Sequence, residues 1–172
     1  MPLVCCVSVA PVPAGALQPI TATVDGPYFS PRGGVTRAVV RELDAAQHSV
    51  RVQAYSFTSA PIAKALVDAK RRGVDVQIIA DRSNRTGRYS AATFTSNADI
   101  PTFIDAMHAI AHNKIIVIDD ETVITGSFNF TKAAEQNNAE NLLVLRSKEL
   151  ASKYLDNWEM HRQHSEIVVP RR

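Results

Sequence analysis

The chain has 172 residues, 45% of them hydrophobic and 21% charged, with a net charge of +2 and two cysteines. That is ordinary globular composition and enough for one domain with a substantial core. It excludes a disulfide framework and a thiolate zinc site, because Cys5 and Cys6 are adjacent and the rest of the chain is cysteine-free. Charge is uneven: residues 32–88 carry eleven Lys/Arg against five Asp/Glu, residues 89–172 eight against eleven. A basic first half points to an anionic partner, although a solvated surface would carry the same charge.

Residues 3–10, LVCCVSVA, form a short apolar run followed by PVP and Ala14-Gly15-Ala16. This is the pattern of a secretory signal with a small-residue cleavage site, although no Lys or Arg precedes the run. Residues 1–16 are therefore expected to be a signal peptide and 17–172 a single domain, placing the protein in the periplasm or outside the cell. The run is too short to span a bilayer. Residues 20–31 alternate and break at Gly26-Pro27, a strand and a turn. Residues 34–48 read as a helix with Val35, Ala38, Val39 and Leu43 on one side, and 49–57 as a half-buried strand. Residues 60–73 read as a helix with Pro61 in its first turn and Gly73 at its end, and 74–81 as a strand. Strand, helix, strand at this spacing is a βαβ unit, hence a parallel pair.

Residues 82–88 are a basic polar loop, and a short helix is expected within 89–101, stopping before Pro101. Two strands follow, 112–120 and 122–127, joined by an acidic turn at 119–121. A strand at 141–147 and an amphipathic helix at 148–164 complete the chain, the helix with Leu150, Tyr154, Leu155 and Trp158 as its apolar stripe. The chain contains no internal repeat.

Chemistry concentrates between residues 112 and 129. Strand residues two apart face the same way, so His112 and Lys114 project together. Ile115 to Ile118 are apolar on both faces, the mark of a strand buried in a sheet covered on both sides. Ser127 and Asn129 are also two apart, just past the neighbouring strand, where Gly126 lets the backbone turn. A His, a Lys, a hydroxyl and an amide converging at two strand ends suit a phosphodiester. Imidazole is a nucleophile or an acid, ammonium neutralises a non-bridging oxygen, and Ser and Asn donate hydrogen bonds. The acidic turn lies at the other end of the strand, so no carboxylate cluster for a two-metal mechanism faces His112. His108 and His112 are four apart, which makes a metal pair only on a helix; the apolar run makes His112 a strand residue, so neither metal nor cofactor is expected. Arg82, Arg85 and Arg88 either line a nucleic-acid path or form a solvated loop. Tyr55 and Phe57 either stack on bases or pack in the core.

The set His112-x-Lys114, Asp119, Gly126-Ser127 and Asn129 resembles the HKD motif of the phospholipase D superfamily, most of all the small single-motif bacterial endonucleases called Nuc. The likeness extends through residues 54–58, 64–76, 84–88, 126–135 and 140–144, and thins over 89–111. It implies an α/β fold, a single domain with a mixed, mostly parallel sheet covered by helices on both faces. It implies a metal-independent phosphodiesterase acting on nucleic acid, DNA or RNA, through a phosphohistidine. In such enzymes one motif His attacks phosphorus and a second protonates the leaving oxygen. With one motif per chain, the second His112 has to come from a two-fold partner, giving a homodimer with a shared site. Lys114 and Asn129 would hold phosphate oxygens with help from Ser127, Glu140 would orient the imidazole, and Asp119 would be a structural turn and ion-pair residue. The resemblance also admits a phospholipase D acting on a lipid headgroup at a membrane, and a catalytically inactive DNA-binding module.

Overall fold

The computed structural model describes residues 19–85 and 91–170; the expected signal peptide and Arg88 lie outside them. In chain order the elements are β1 (Thr23–Ser30), α1 (Val35–Ala45), β2 (Ser49–Ala54), α2 (Ala60–Arg71), β3 (Asp75–Asp81), a 3-10 turn (Arg82–Asn84), α3 (Ala91–Asn97), β4 (Thr102–Asp105), β5 (Lys114–Ile118), β6 (Thr122–Gly126), α4 (Lys132–Gln136), β7 (Glu140–Arg146), α5 (Lys148–His164) and β8 (Glu166–Ile167).

The strands form one sheet in the order β1-β7-β6-β5-β2-β3-β4-β8. The sheet is mixed, but the expected parallel majority is corrected. Only β2–β3 and β3–β4 pair in parallel, and the other five pairings are antiparallel. The reason is connection length. A parallel return needs a crossover of a dozen or more residues, which α2 and α3 supply. The turn at Asp119–Glu121 instead closes β5 and β6 into a hairpin, and β7 returns antiparallel beside β6 after the segment that carries α4.

Helices cover both faces. Val35, Val39 and Leu43 of α1 and Ile62 and Leu66 of α2 are fully buried against Val50, Val52, Ile78, Ile116, Ile124 and Val144. Each such side chain contributes about 1.5–3 kcal/mol by leaving water. On the opposite face Leu150, Ala151, Tyr154 and Leu155 of α5 pack on Ile115, Val117 and Val123. The Trp158 indole of α5 donates to the Val52 carbonyl at 3.0 Å. Strand β5 is buried at all five positions, as its unbroken apolar run required.

Helix α1 begins at Gly34, which has no capping side chain of its own. The cap comes from a distant segment: the Glu135 carboxylate accepts from the Gly34 N–H at 3.0 Å and the Thr36 N–H at 2.7 Å. This acid stabilises the positive end of the helix and ties it to the segment after β6.

Candidate active site

The sheet order puts one set of strand ends side by side. β7 begins at Glu140, β6 ends at Gly126, β5 begins at Lys114, and β2, β3 and β4 end at Ala54, Asp81 and Asp105. Register confirms the alignment, with Ala54 opposite Lys114 and Gly126 opposite Leu142. This is the carboxyl end of the parallel strands, where open α/β sheets place their sites.

His112 lies two residues before β5 rather than inside it, is exposed, and bonds to no other described residue through its ring nitrogens. Backbone pairing nevertheless continues past the strand, because the Tyr55 N–H donates to the Asn113 carbonyl at 2.8 Å. The Tyr55 ring stands 4.6 Å from the imidazole and 5.0 Å from the Lys114 ammonium. Tyr55 is thus a component of the site, while Phe57, its neighbour two residues on, is fully buried edge-on to Phe130.

Lys114 is only 8% exposed and donates to the His112 carbonyl at 2.7 Å. Burial pushes its ammonium below the usual lysine range, and the negative charge of Glu140 opposes that shift. One ammonium proton is spent on His112, and no other described residue accepts the remaining two. Glu140 accepts from the Ser127 hydroxyl at 2.6 Å and from the Asn138 amide at 3.2 Å. The Ser127 oxygen also accepts from the Asn141 N–H at 3.1 Å. Within the chain Glu140 does not touch the His112 ring, the role the resemblance gave it, because β6 stands between β7 and β5. Its partners are Ser127, Asn138 and, through charge, Lys114.

Gly126 is required by space as well as by its positive φ of 154°. A Cβ there would lie 2.2 Å from the Asn141 carbonyl oxygen. The chain beyond it crosses the head of β5 to the extension of β2, where Phe57 and Phe130 form a parallel bridge and the Thr58 and Ser59 N–H groups donate to the Phe130 carbonyl. Asn129 is carried on that crossing, and its side-chain oxygen is buried without a hydrogen-bond partner among the described residues. An unpartnered buried polar atom is costly and marks a place where a ligand or water completes the bonding.

Asp119 sits at the far end of β5. Its carboxylate accepts from the backbone N–H groups of Gln47, His48 and Ser49 at 2.9, 2.7 and 2.9 Å. It is a turn residue whose partners are peptide groups rather than the cation of an ion pair. Burial opposes its ionisation, and these three donors outweigh burial, holding the carboxyl below its usual range. In the basic loop, Arg85 pairs with Glu166 at 2.8 Å, while Arg82 is exposed.

The loop from β4 to β5 is anchored by buried Asp81, whose carboxylate accepts from the Ala111 N–H at 2.8 Å. Buried Asn84 donates to the Tyr55 carbonyl at 2.7 Å, steadying the other side of the site. The same loop exposes Met107 (72%) and Ile110 (57%). His108, read from sequence only as a partner for His112, instead meets His161 and His164 of α5 around Asp105. Their ring nitrogens lie 2.9, 2.8 and 3.4 Å from one carboxylate oxygen. Nothing in the local spacing links these residues, since His161 lies 56 positions from Asp105.

A sequence family described as cardiolipin synthase, PLD-like domain, matches residues 39–162. This chain belongs to the phospholipase D superfamily. A phospholipase D of Rickettsia felis is 45% identical over 130 residues, covering 76% of this chain and 65% of that protein. The solved structure of Nuc from Salmonella typhimurium, a phospholipase D family member, superposes with a TM-score of 0.82 at 41% identity, over 87% of this chain and 99% of Nuc. NucT from Helicobacter pylori gives 0.75 at 25% identity, over 87% of this chain and 100% of NucT. The chain spans just under two thirds of the length of the Rickettsia relative.

Proposed function

We propose that this protein is a metal-independent phosphodiester hydrolase, a non-specific endonuclease acting on DNA or RNA as a homodimer. The observation that carries this reading is an exposed imidazole whose two ring nitrogens no other described residue claims, held beside a buried ammonium with two protons that no described residue takes. Similarity to Nuc and NucT supports the choice of nucleic acid.

In this reading a ring nitrogen of His112 attacks phosphorus, a P–N bond forms and the P–O bond to the leaving group breaks. Lys114 and Asn129 hold the non-bridging oxygens, and Ser127, fixed by Glu140, assists. The leaving oxygen takes its proton from a second imidazole. One ring cannot attack and protonate in the same step, so that proton comes from His112 of a second copy across a two-fold axis. Water, deprotonated by that same second imidazole, then displaces the first His112 and returns the enzyme to its starting state. A mixed dimer with one intact His112 would form at most a phosphohistidine and would not turn over. Retention of half the activity would instead mean that each chain carries a complete site.

A second reading, hydrolysis of a lipid headgroup, is favoured by exposed Met107 and Ile110 beside the site and by the Rickettsia felis relative named phospholipase D. Plasmid DNA and phosphatidylcholine vesicles, each incubated with the protein in EDTA, separate the two. Nicking without choline release supports the endonuclease. Choline release without nicking transfers the chemistry to lipid. DNA binding without cleavage leaves a binding module, and a strict Mg²⁺ requirement overturns the mechanism. Export fits the apolar run and Ala14-Gly15-Ala16, and amino-terminal sequencing of protein recovered from the periplasm or medium tests it.

A further inference from the structure

Beside the phosphodiester site, on the α5 side of β4, Asp105, His108, His161 and His164 bring one ligating atom each to within 4.8 Å of one another. Three of the five histidines of the chain are spent here. We propose that these four side chains form a closed binding site for one divalent transition-metal ion of the zinc type.

The donor set is that of a four-coordinate zinc site, three imidazole nitrogens and a carboxylate oxygen. Tetrahedral zinc at its usual bond lengths places its ligand atoms about 3.3 Å apart. Here the Nδ1 atoms of His161 and His108 and the Nε2 of His164 stand 2.8, 2.9 and 3.4 Å from Asp105 Oδ2, and the whole set lies within 4.8 Å, so side-chain rotations that lengthen the short separations and close the wide ones bring the cluster to that size. The rings already face one another, with centroids 4.8, 5.3 and 5.3 Å apart.

The outer bonding is also that of a ligand set. Asp105 is fully buried, and its other oxygen accepts from the Met107 and His108 N–H groups at 3.1 and 3.4 Å and lies 3.2 Å from His108 Nδ1, while Oδ2 faces all three histidines. Among the described residues no lysine or arginine pairs with this buried carboxylate. Hydrogen bonding alone accounts for the cluster poorly. One carboxylate oxygen has about two lone pairs, and three ring nitrogens crowd it. A single cation among the three rings, of which His108 and His161 are stacked and His164 is tilted against both, would pair directly with the buried carboxylate.

The arrangement also has a structural consequence. His161 and His164 lie in the last turn of α5, Asp105 ends β4, and His108 lies in the loop that leads to His112. A metal ion here would clamp that loop at His108, while Asp81 holds it at Ala111 and the sheet holds it at Asn113. With four protein ligands no position is open to substrate, so the ion acts on the stability of the loop and leaves hydrolysis to His112 and Lys114.

The test is direct metal binding to the full chain, freed of metal by EDTA and gel filtration and titrated with Zn²⁺ by calorimetry. One equivalent per chain is expected, with Tm raised by about 5–10 °C at a hundredfold excess over Kd. Replacement by Co²⁺ is expected to give the intense visible absorption of tetrahedral coordination. His161→Ala and, on the exposed loop where folding is not at risk, His108→Ala should each weaken binding at least about 100-fold, while His48→Ala leaves it unchanged. No saturable Zn²⁺ binding, or binding that survives both ligand substitutions, overturns the proposal, as does the weak spectrum of octahedral Co²⁺. Because the readout is binding, its failure is separate from failure of the hydrolase reading. A chain that cleaves without binding zinc refutes only the metal site, and one that binds zinc without cleaving refutes only the activity.

Discussion

The two ends of β5 are built to opposite specifications. At Asp119 a carboxylate is saturated by three backbone N–H groups from the α1–β2 loop. At the other end, among the described residues, the His112 ring nitrogens and the Asn129 oxygen have no hydrogen-bond partner, and Lys114 is buried with its charge only partly compensated. Four buried apolar residues, Ile115 to Ile118, separate them. The saturated end contributes stability. The unsaturated end holds polar groups in place at a cost in stability, and a phosphate group would supply the bonds they lack.

Substitutions at the two ends should therefore separate activity from stability. The largest effect is expected from His112→Ala, which removes the nucleophile of the proposed mechanism. Turnover of a small aryl phosphodiester should fall by about 10⁴-fold or more, with Tm unchanged because the side chain is exposed. A variant that keeps a tenth of the activity would end the nucleophile assignment.

Asp119→Ala should do the reverse, lowering stability by about 2 kcal/mol while kcat changes little. The pH dependence gives a second check. The folded-state pKa of Asp119 lies below the ordinary carboxylate value. Its contribution is therefore complete above the unfolded value and disappears as pH falls through the folded one. The Tm gap between wild type and Asp119→Ala should be widest near neutral pH and close on acidification. A gap that widens in acid would contradict the bonding described.

Glu140→Gln sharpens the comparison at the reactive end. In the proposed mechanism Lys114 works protonated, so kcat/KM should fall on the alkaline side, starting below the ordinary lysine range because burial lowers its pKa. Removing the Glu140 charge takes away the opposing influence and should move that limb to still lower pH. An unmoved limb would mean that Lys114 does not control it. The smallest effect is expected in the basic loop. Arg82→Ala should reduce the slope of log affinity against log salt by about 1 for nucleic acid, and Arg85→Ala by less, because Arg85 is already paired with Glu166. Equal slopes for the wild type and Arg82→Ala would make the loop ordinary surface.

What the sequence alone determined is local in character. Helical spacing and end signals placed α1 and α2 to within a few residues, and α5 falls on Lys148–His164 as the periodicity indicated. The unbroken apolar run of β5 announced a strand buried on both faces, and the spacing of His112, Lys114, Ser127 and Asn129 announced the family. The four-residue β4, the two-residue β8 and the short α4 were not legible, because a period needs more residues than these elements have.

Only the tertiary structure decided the sheet order and with it the neighbours. It set β5 against β2, which brought Tyr55 to His112, and put β6 between β5 and β7, which gave Glu140 to Ser127. It also gathered His108, His161 and His164 on Asp105. Periodicity reports which face of its own element a side chain takes. It carries no information about which distant element covers that face, and these contacts are made between segments far apart in the chain.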